Sequence, residues 1–298
     1  MIPIKTLFLE TRPQYLLLSV LLVILGASIA GFYGSFAWAR FGLCLIGLVL
    51  LHISTNVLND YFDYSSGIDL ETERTPYNGG SGLLIQGLLT PRETLVFGLS
   101  AFVLAIPIGG YLVSIIGWSL LPLFLIGAVF VIFNSSQITR LGYGLGELSA
   151  GLGLGTLPVF GTAWIIHGKP ESYFLFAALP SCLWVANLLF LNEFPDEKPD
   201  RKGGRRTLVI QLGFRQAQRL YASLSIASFV WIGACIVLGA IPMQCLIAFL
   251  SLPFAVKAIS LSQTPDFGGR FTQAQAANVA LVLSGHFLMA LGFVWATL

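Results

Sequence analysis

The chain has 298 residues, of which 56% are hydrophobic and only 10% are Asp, Glu, Lys or Arg. In soluble globular proteins about a quarter of all residues are charged, so this composition argues against a soluble enzyme. The high share of hydrophobic residues excludes an intrinsically disordered chain. A net charge of +2 without a basic stripe gives no indication of nucleic-acid binding. We expect a polytopic membrane protein.

The apolar residues fall into runs that are long enough to cross a bilayer, which takes about 20 helical residues. Nine runs are present, at 14–34, 41–58, 94–114, 116–133, 146–166, 172–191, 220–239, 241–259 and 276–297. We predict an all-α polytopic membrane helical bundle of about nine transmembrane helices. The first run has an alternative interpretation as a cleaved signal peptide, but its length and the runs that follow favour a retained helix.

Small residues within these runs are expected to serve packing. Gly151 and Gly155 are four residues apart, a spacing that allows two membrane helices to approach closely. The cysteines are scattered through apolar runs without a Cys-x-x-Cys pair, so we expect buried free thiols rather than disulfides or a metal site. They are Cys44, Cys182, Cys235 and Cys245.

The distribution of basic residues predicts the orientation. With nine spans and a cytoplasmic N-terminus, 14 of the 16 Lys and Arg residues lie on the cytoplasmic side, and only Arg40 and Lys169 lie outside. The positive-inside rule favours this orientation. Two long connections, at about 59–93 and 192–219, then lie on the cytoplasmic side and hold ten of the fourteen acidic residues. Charges beside a membrane often mark a functional site.

The first of these connections begins with a polar cluster directly after the second apolar run. Asn56, Asn59, Asp60 and Asp63 are spaced three and four residues apart, so they would share one face of a helix. Because the apolar run ends just before the cluster, we expect that face at the membrane–water boundary.

A matching cluster follows the sixth apolar run. Asn192, Asp196 and Asp200 are four residues apart and would also line one helical face, unless Pro195 and Pro199 bend or end the helix there. One such cluster alone is as consistent with an ordinary solvated loop as with a site. Two matching clusters on one side of the membrane favour a functional site.

The chemistry of the two clusters is that of a magnesium diphosphate site. Carboxylate and amide oxygens suit Mg²⁺, and the absence of His from both clusters argues against zinc. Basic residues follow each cluster: Arg74 follows the first, and Arg201, Lys202, Arg205 and Arg206 follow the second. Acids for a metal beside cations for an anion are typical of sites for metal diphosphates.

The paired segments resemble the two aspartate-rich motifs of the UbiA superfamily of intramembrane aromatic prenyltransferases. Asn59-Asp60-x-x-Asp63 fits the first motif, and Arg74-Thr75 fits the Arg-Thr that follows it. The third acid is displaced, because Gly67 stands at the four-spaced position and Asp69 comes two residues later. In the second motif all three positions fit: Asn192, Asp196 and Asp200.

Other stretches are similar to the MenA branch, which prenylates 1,4-dihydroxy-2-naphthoate. They are the Gly-x-Asp ending at 67–69, the Gly-Leu-Gly-Glu stretch at 144–147 and the Gly-Arg-Arg-Thr-Leu stretch at 204–208. The segment 77–82 departs from the family because it lacks the usual Arg-Pro before Ser-Gly.

The resemblance implies one prenyltransferase domain over residues 1–298, with a central cavity open to the cytoplasmic side of a bacterial inner membrane. It implies Mg²⁺ as cofactor, with polyprenyl diphosphate, an aromatic acceptor and the lipid bilayer as partners. The implied metal-site residues are Asn56, Asn59, Asp60, Asp63, Asn192, Asp196 and Asp200. The implied diphosphate-binding residues are Asn59, Arg74, Tyr143, Asn192, Lys198, Arg205 and Arg206.

The expected catalytic residues are Asp60, Asp63, Asp196, Asp200 and Glu147. Glu147 would orient or deprotonate the acceptor, or it is an ordinary acid that is stabilised by the helix dipole. A family member with another acceptor, such as 4-hydroxybenzoate, remains an alternative. A transporter is the less favoured alternative, because mid-span ionisable residues are nearly absent.

Overall fold

The computed structural model describes residues 2–34 and 36–298, and every regular element within those ranges is a helix. In this part of the chain, nine helical segments are long and apolar enough to cross a membrane. In chain order, spans 1 to 9 are Pro13–Phe32, Trp38–Ser65, Pro91–Ile116, Trp118–Leu141, Leu145–His167, Ser172–Asn192, Phe214–Val237, Met243–Leu261 and Gly269–Trp295. The prediction of an all-helical membrane bundle with nine spans is confirmed.

Three of the spans are not regular α-helices throughout. Span 4 joins a 3₁₀ turn (Trp118–Leu120), an α-helix (Leu121–Phe133), a π-helical turn (Asn134–Ile138) and a last α-turn (Thr139–Leu141). Span 5 joins Leu145–Gly151, a π-helical turn (Leu152–Thr156) and Leu157–His167. Span 8 begins as a 3₁₀-helix (Met243–Ser251) and continues as Leu252–Leu261. Short helices outside the spans are Ile4–Glu10, Ile68–Glu71, Glu197–Lys202 and Leu208–Leu212.

The boundary of span 2 differs from the prediction in a way that matters for the site. The apolar run was expected to end at residue 58, with a connection beginning at 59, but the helix continues to Ser65. That part of the prediction was wrong because an apolar run measures only the segment within hydrocarbon. The helical hydrogen bonds continue past it, so the first acidic cluster lies on a helix, as the spacing of its residues predicts.

Neighbouring spans pack side by side, and span 9 packs on span 1, so the bundle closes on itself. Span 6 contacts spans 1, 5, 7 and 9. Spans 5 and 6 approach closely: a Cβ on Gly151 would lie 2.5 Å from the Cys182 carbonyl oxygen, and one on Gly155 would lie 2.5 Å from the Ser181 carbonyl oxygen. The expected packing role of these glycines is confirmed. All four cysteines are buried and free, as predicted.

Candidate active site at the mouth of the bundle

The two acidic clusters meet at one end of the bundle through a single arginine. The Arg205 guanidinium forms ion pairs with Asp63 from the first cluster and with Asp200 from the second, the latter at 2.9 Å between Nη1 and Oδ1. The Arg205 side chain is only 12% exposed and that of Asp200 only 2%. Arg205 therefore connects segments that are 142 residues apart in the chain.

A reversal of the chain brings Arg205 to this position. The helix Glu197–Lys202 ends at two glycines, and Gly204 adopts a φ of +84°, which turns the backbone back on itself. The Arg205 amide then donates to the Asp200 carbonyl at 2.9 Å. Burial raises the pKa of the Asp200 carboxyl. Burial disfavours the charged guanidinium, but the carboxylates of Asp63 and Asp200 raise the pKa of Arg205 overall.

The second cluster does not occupy one uninterrupted helical face. Span 6 ends at Asn192, a turn follows, and Asp196 stands at the N-cap position of the next helix, Glu197–Lys202, without a side-chain capping hydrogen bond. The predicted interruption near the prolines is confirmed, and the expectation of one continuous face for Asn192, Asp196 and Asp200 was wrong. Burial raises the pKa of Asp196 to about 7, whereas the hydrogen bond from Asn78 lowers it.

A glycine-rich loop, residues 75–82, lies across both clusters. The Ser81 amide donates to Asp60 Oδ2 at 2.6 Å. Asn78 Nδ2 donates to Asp196 Oδ2 and to the Asn192 carbonyl, both at 2.6 Å. Gly80 has a φ of +59°, and a Cβ there would lie 2.7 Å from Asp60 Oδ1, so only glycine permits this approach.

Asn78 also ties the loop to span 9. Its Oδ1 accepts a hydrogen bond from Gln275 Nε2 at 2.6 Å, and the same Gln275 amide donates to Asn192 Oδ1 at 3.1 Å. Sequence reasoning did not single out Asn78 or Gln275. The Asn-Gly-Gly-Ser-Gly sequence at 78–82 was a usable signal for the loop, whereas Gln275 gave none because it is a lone amide at the start of a span.

The N-terminal segment adds two residues that sequence reasoning also missed. Glu10 is fully buried and accepts a hydrogen bond from Ser81 Oγ at 2.6 Å. Burial, followed by the nearby charge of Asp60, raises the pKa of Glu10 to about 7. Arg12 Nη1 lies 3.8 Å from Asp60 Oδ1, an ion pair that is too long for a hydrogen bond. The N-terminal segment thus places two ionisable side chains, Glu10 and Arg12, beside the first cluster.

The predicted asparagines contact their clusters in different ways. Asn59 Nδ2 donates to Asp63 Oδ2 at 3.0 Å and to Ser135 Oγ, on span 4, at 2.9 Å. Asn56 Nδ2 instead donates to the Thr11 carbonyl at 3.0 Å and so fixes the N-terminal segment against span 2.

Glu147 lies in the first turn of span 5 and is buried. Its Oε1 accepts a hydrogen bond from the Leu208 amide at 2.6 Å, which anchors the segment that carries Arg205. Burial and the adjacent carboxyl of Glu147 raise the pKa of Glu193 well above its ordinary value. These contacts favour Glu147 as a residue that positions the Arg205 segment.

The remaining predicted residues are exposed at the rim. Arg74 braces the glycine-rich loop, with Nε donating to the Gly79 carbonyl at 3.1 Å and Nη2 to the Ser81 carbonyl at 2.5 Å. Tyr143, at 86% exposure, Lys198 and Arg206 are exposed, and the structure does not bring them into the buried cluster.

Beneath the clusters lies a cavity of about 200 Å³ within the bundle. Most of its lining is apolar, and the polar residues in the lining are Arg12, Gln14, Tyr15, His52, Thr55, Asn56, Asn59, Asn134, Ser135, Ser149 and Asn192. A second cavity of about 430 Å³ lies between spans 2, 3, 4 and 5 and has an almost wholly apolar lining. Gly153, in the π-helical turn of span 5, lines both cavities.

The donor set fits magnesium held jointly with a substrate. The acids offer only oxygen ligands, and the buried Asp60 Oδ1 has no hydrogen-bond partner. Within residues 2–34 and 36–298, no three His, Cys, Asp or Glu side chains lie close enough to hold a metal by themselves. Mg²⁺ is commonly bound by one or two carboxylates together with waters and substrate phosphates, so this arrangement suits Mg²⁺ with a diphosphate.

Comparison with known proteins decides the family. The model of the UbiA prenyltransferase family matches residues 19–266. The chain belongs to the UbiA prenyltransferase family. It is therefore a membrane prenyltransferase, in agreement with the resemblance carried by the two aspartate-rich motifs.

Among the curated relatives of this UbiA protein are enzymes whose names state a naphthoate or naphthoquinone acceptor. A 1,4-dihydroxy-2-naphthoate octaprenyltransferase of Bacillus subtilis is 27% identical over 84% of this chain and 79% of its own length. A 2-carboxy-1,4-naphthoquinone phytyltransferase of Synechocystis is 27% identical over 96% of this chain and 92% of its own length. The expected likeness to the MenA branch is confirmed.

Solved structures share the UbiA fold at low identity. A UbiA homolog from Aeropyrum pernix superposes with a TM-score of 0.73 at 17% identity, covering 96% of this chain and 98% of that one. A UbiA homolog from Archaeoglobus fulgidus, bound to DMAPP and Mg²⁺, superposes with a TM-score of 0.66 at 12% identity, covering 95% and 99%. These likenesses confirm the fold class.

Proposed function

We propose that this UbiA-family enzyme transfers a polyprenyl group from an isoprenyl diphosphate to 1,4-dihydroxy-2-naphthoate, in menaquinone biosynthesis and with Mg²⁺ as cofactor. The observation that carries the proposal is the ion pairing of Arg205 with Asp63 and Asp200, which joins both acidic clusters over one cavity. The names of the relatives support the naphthoate acceptor, and the ligands of the Archaeoglobus homolog support the magnesium diphosphate.

The acidic clusters would hold the diphosphate end of the donor. The proposed Mg²⁺ ligands are the carboxylates of Asp60, Asp63, Asp196 and Asp200, with Asn56, Asn59 and Asn192 as neutral oxygen ligands or orienting groups. Bound Mg²⁺ neutralises the negative charge that develops on the leaving diphosphate. Arg205 would add a fixed positive charge where that charge appears.

The exposed cations and the loop would act at the entrance. Lys198, Arg206 and Tyr143 stand at the rim, where we propose that they meet the incoming diphosphate. Arg74 holds the carbonyls of the glycine-rich loop, so its proposed contribution is to keep that loop in place as well as to add positive charge. Glu147 would keep the Arg205 segment in position through the Leu208 amide.

The two cavities would divide the substrates between them. The apolar cavity between spans 2, 3, 4 and 5 would take the prenyl tail. The tail would enter this cavity past Gly153, which lines both cavities. Each buried methylene of such a tail contributes about 0.8 kcal/mol. The apolar walls would exclude water from the allylic cation, and the cavity beneath the clusters would hold the aromatic acceptor. The distribution of basic residues supports the proposal that this end of the bundle faces the cytoplasm at a bacterial inner membrane.

A product assay on nanodisc-held protein tests the proposal. Geranylgeranyl diphosphate and Mg²⁺ are supplied with 1,4-dihydroxy-2-naphthoate or with 4-hydroxybenzoate, using wild type, Asp63→Ala and Asp196→Ala. We expect a prenylated naphthoquinol with release of CO₂ from wild type and none from either variant. Product with 4-hydroxybenzoate alone would keep the family activity and overturn the acceptor.

A further inference from the structure

Two histidines are buried in the spans, and only one of them faces the cavity beneath the acidic clusters. His52 Nδ1 lies 2.7 Å from the hydroxyl of the fully buried Ser19, and His52 lines the cavity beneath the acidic clusters. Ser19 thus holds the imidazole by one nitrogen and leaves Nε2 for a ligand. His286 Nδ1 instead contacts the Val282 carbonyl at 2.6 Å, and its ring packs against Trp184, away from that lining.

Arg12 brings a cation to the same cavity. It adopts a left-handed backbone conformation, with φ of +53°, just before span 1. The Asn56 amide holds the Thr11 carbonyl, and the Arg12 guanidinium stacks on the Tyr15 ring at 4.6 Å. At 3.8 Å from Asp60 Oδ1, the guanidinium keeps donors free for another anion. Through Asn56, span 2 therefore holds the Arg12 guanidinium beside the helical face that lines the cavity.

The length of span 2 separates His52 from the diphosphate end, whereas Arg12 extends from Asp60 to the cavity that His52 lines. His52, Asn56 and Asn59 follow one another at helical spacing on the face that lines the cavity. Asp60 lies eight residues beyond His52, which is about 12 Å along a helix axis. A diphosphate bound at the acidic clusters would therefore leave the neighbourhood of His52 to the second substrate.

We propose that Arg12 and His52 form an acceptor subsite that recognises an aromatic carboxylate with a hydroxyl on the adjacent ring carbon. Arg12 binds the carboxylate, His52 Nε2 accepts a hydrogen bond from the hydroxyl, and Ser19 orients the imidazole. This assignment rests on the proposed function. An acceptor whose hydroxyl is not on the ring carbon next to its carboxylate would not satisfy both Arg12 and His52, because the two side chains would contact neighbouring substituents of the ring.

The pair also accounts for the protons of the reaction. As the C–O bond to the diphosphate breaks with its electron pair, the ring carbon that bears the carboxylate bonds to the allylic carbon. The hydroxyl proton moves to His52 Nε2, and the oxygen becomes a ketone. Loss of CO₂ returns the electron pair of the broken C–C bond to the ring as an enolate, which takes the proton back from His52. No oxidant or reductant is required.

Binding of two hydroxynaphthoate isomers tests the subsite without turnover. Equilibrium binding of 1-hydroxy-2-naphthoate and 4-hydroxy-2-naphthoate is measured on full-length protein in nanodiscs, for wild type, His52→Gln, Arg12→Gln, Ser19→Ala and His286→Gln. We expect wild type and His286→Gln to bind the adjacent isomer at least about 10-fold more tightly. His52→Gln and Arg12→Gln should lose this preference, and Ser19→Ala should reduce it. Equal binding of both isomers by wild type would overturn the subsite.

Kinetics separate a role of His52 in the reaction from a role in folding. His52→Gln should lower kcat with 1,4-dihydroxy-2-naphthoate by about 10²-fold, while the KM for the prenyl diphosphate and the acceptor-free release of diphosphate stay within about threefold of wild type. If His52→Gln lowered the acceptor-free release of diphosphate as much as it lowered kcat, the proposal would be contradicted, because His52 would then serve the donor or the fold. Should His52→Gln not fold, Ser19→Ala decides by the same comparison. Wild type that prefers the adjacent isomer but forms no naphthoate product would support the subsite and overturn the proposed reaction.

Discussion

The two acidic clusters bear the same residue types at similar spacing, yet the structure holds them in place by different means. Asn59, Asp60 and Asp63 lie within an uninterrupted helix, so backbone hydrogen bonds fix their mutual positions. Asp196 and Asp200 lie beyond the end of span 6, on a turn and a six-residue helix. Their positions depend on contacts from elsewhere in the chain.

Those contacts come from the glycine-rich loop and from Arg205. Asn78 holds Asp196 and the end of span 6, and Arg205 holds Asp200 against Asp63. A cluster on a helix can therefore tolerate the loss of a neighbour, whereas a cluster on a turn needs its neighbours to keep its geometry. We expect changes to the supporting residues to disturb the second cluster more than the first.

The largest expected effect is a loss of activity when either cluster loses a carboxylate, because we expect both clusters to be required for catalysis. Asp63→Asn and Asp196→Asn should each lower kcat on the order of 10³-fold, because each removes a charge that would bind the metal diphosphate. Steady-state kinetics in nanodiscs measure this, with the exposed Asp266→Asn as the matched control. Activity of Asp196→Asn within tenfold of wild type would restrict the metal site to the first cluster.

Arg205 should produce the next largest effect, because it serves both clusters. Arg205→Gln leaves Asp63 and Asp200 buried without their cation, and loss of one partner of a buried ion pair costs about 3–5 kcal/mol. We expect a lower Tm and a kcat reduced by about 10²-fold. Arg205→Lys should recover part of the stability but little of the activity, since an ammonium cannot match the fork of a guanidinium.

The control for Arg205 is Arg201, which is 59% exposed and pairs with Glu197 on the surface. An exposed pair contributes at most about 1 kcal/mol, so Arg201→Gln should leave Tm and kcat nearly unchanged. Equal effects at the two arginines would show that Arg205 contributes only general positive charge and does not bridge the clusters.

The sequence predicted the parts of the site that depend on local spacing. Nine apolar runs, the helical face of the first cluster and the pairing of the two clusters follow from periodicity and charge, and the structure agrees with them. The approach of Asp63 and Asp200 was expected in general terms, because both clusters were assigned to one side of the membrane.

The contacts that depend on the path of the chain could not be predicted in this way. Glu10, Asn78 and Gln275 come from three distant segments, and none belongs to a repeated pattern. The break after Asn192 was foreseen from Pro195, but the partners that hold the turn were not. Long-range polar contacts depend on packing between elements, which spacing along one element does not encode.

A smaller effect is expected where the glycine-rich loop crosses the first cluster. Gly80→Ala places a methyl group 2.7 Å from Asp60 Oδ1, so the loop must move away and weaken the Ser81 hydrogen bond. We expect kcat to fall by about tenfold. Gly87→Ala is the matched control, because Gly87 also has a positive φ, of +68°, but a Cβ there meets nothing within 4 Å.

In both glycine variants, backbone strain should lower the free energy of unfolding by about 1 kcal/mol. Only Gly80→Ala should lose activity beyond that. An equal loss of activity in the two variants would show that the loop affects the enzyme through stability and not through Asp60.

The smallest expected effect is on the pH dependence of thermal stability, which shows how much the carboxyl groups at each cluster contribute to it. Burial raises the pKa of Asp196 to about 7, of Glu10 to about 7 and of Asp69 to about 8. The folded protein therefore retains protons that the unfolded chain releases above about pH 4. The stability from these groups is full below that pH and is lost as pH rises through about 7 to 8, so metal-free protein should melt a few degrees lower at pH 8.5 than at pH 6.

Adding Mg²⁺ and a non-hydrolysable prenyl diphosphate should reduce this pH dependence, because the complex binds deprotonated carboxylates. Asp196→Asn should remove part of the dependence in the metal-free protein, and Asp266→Asn should leave it unchanged. Differential scanning fluorimetry in detergent measures both. If Asp196→Asn keeps the whole pH dependence, Glu10 and Asp69 beside the first cluster account for it, and the turn that carries Asp196 is more open to water than its contacts with Asn78 indicate.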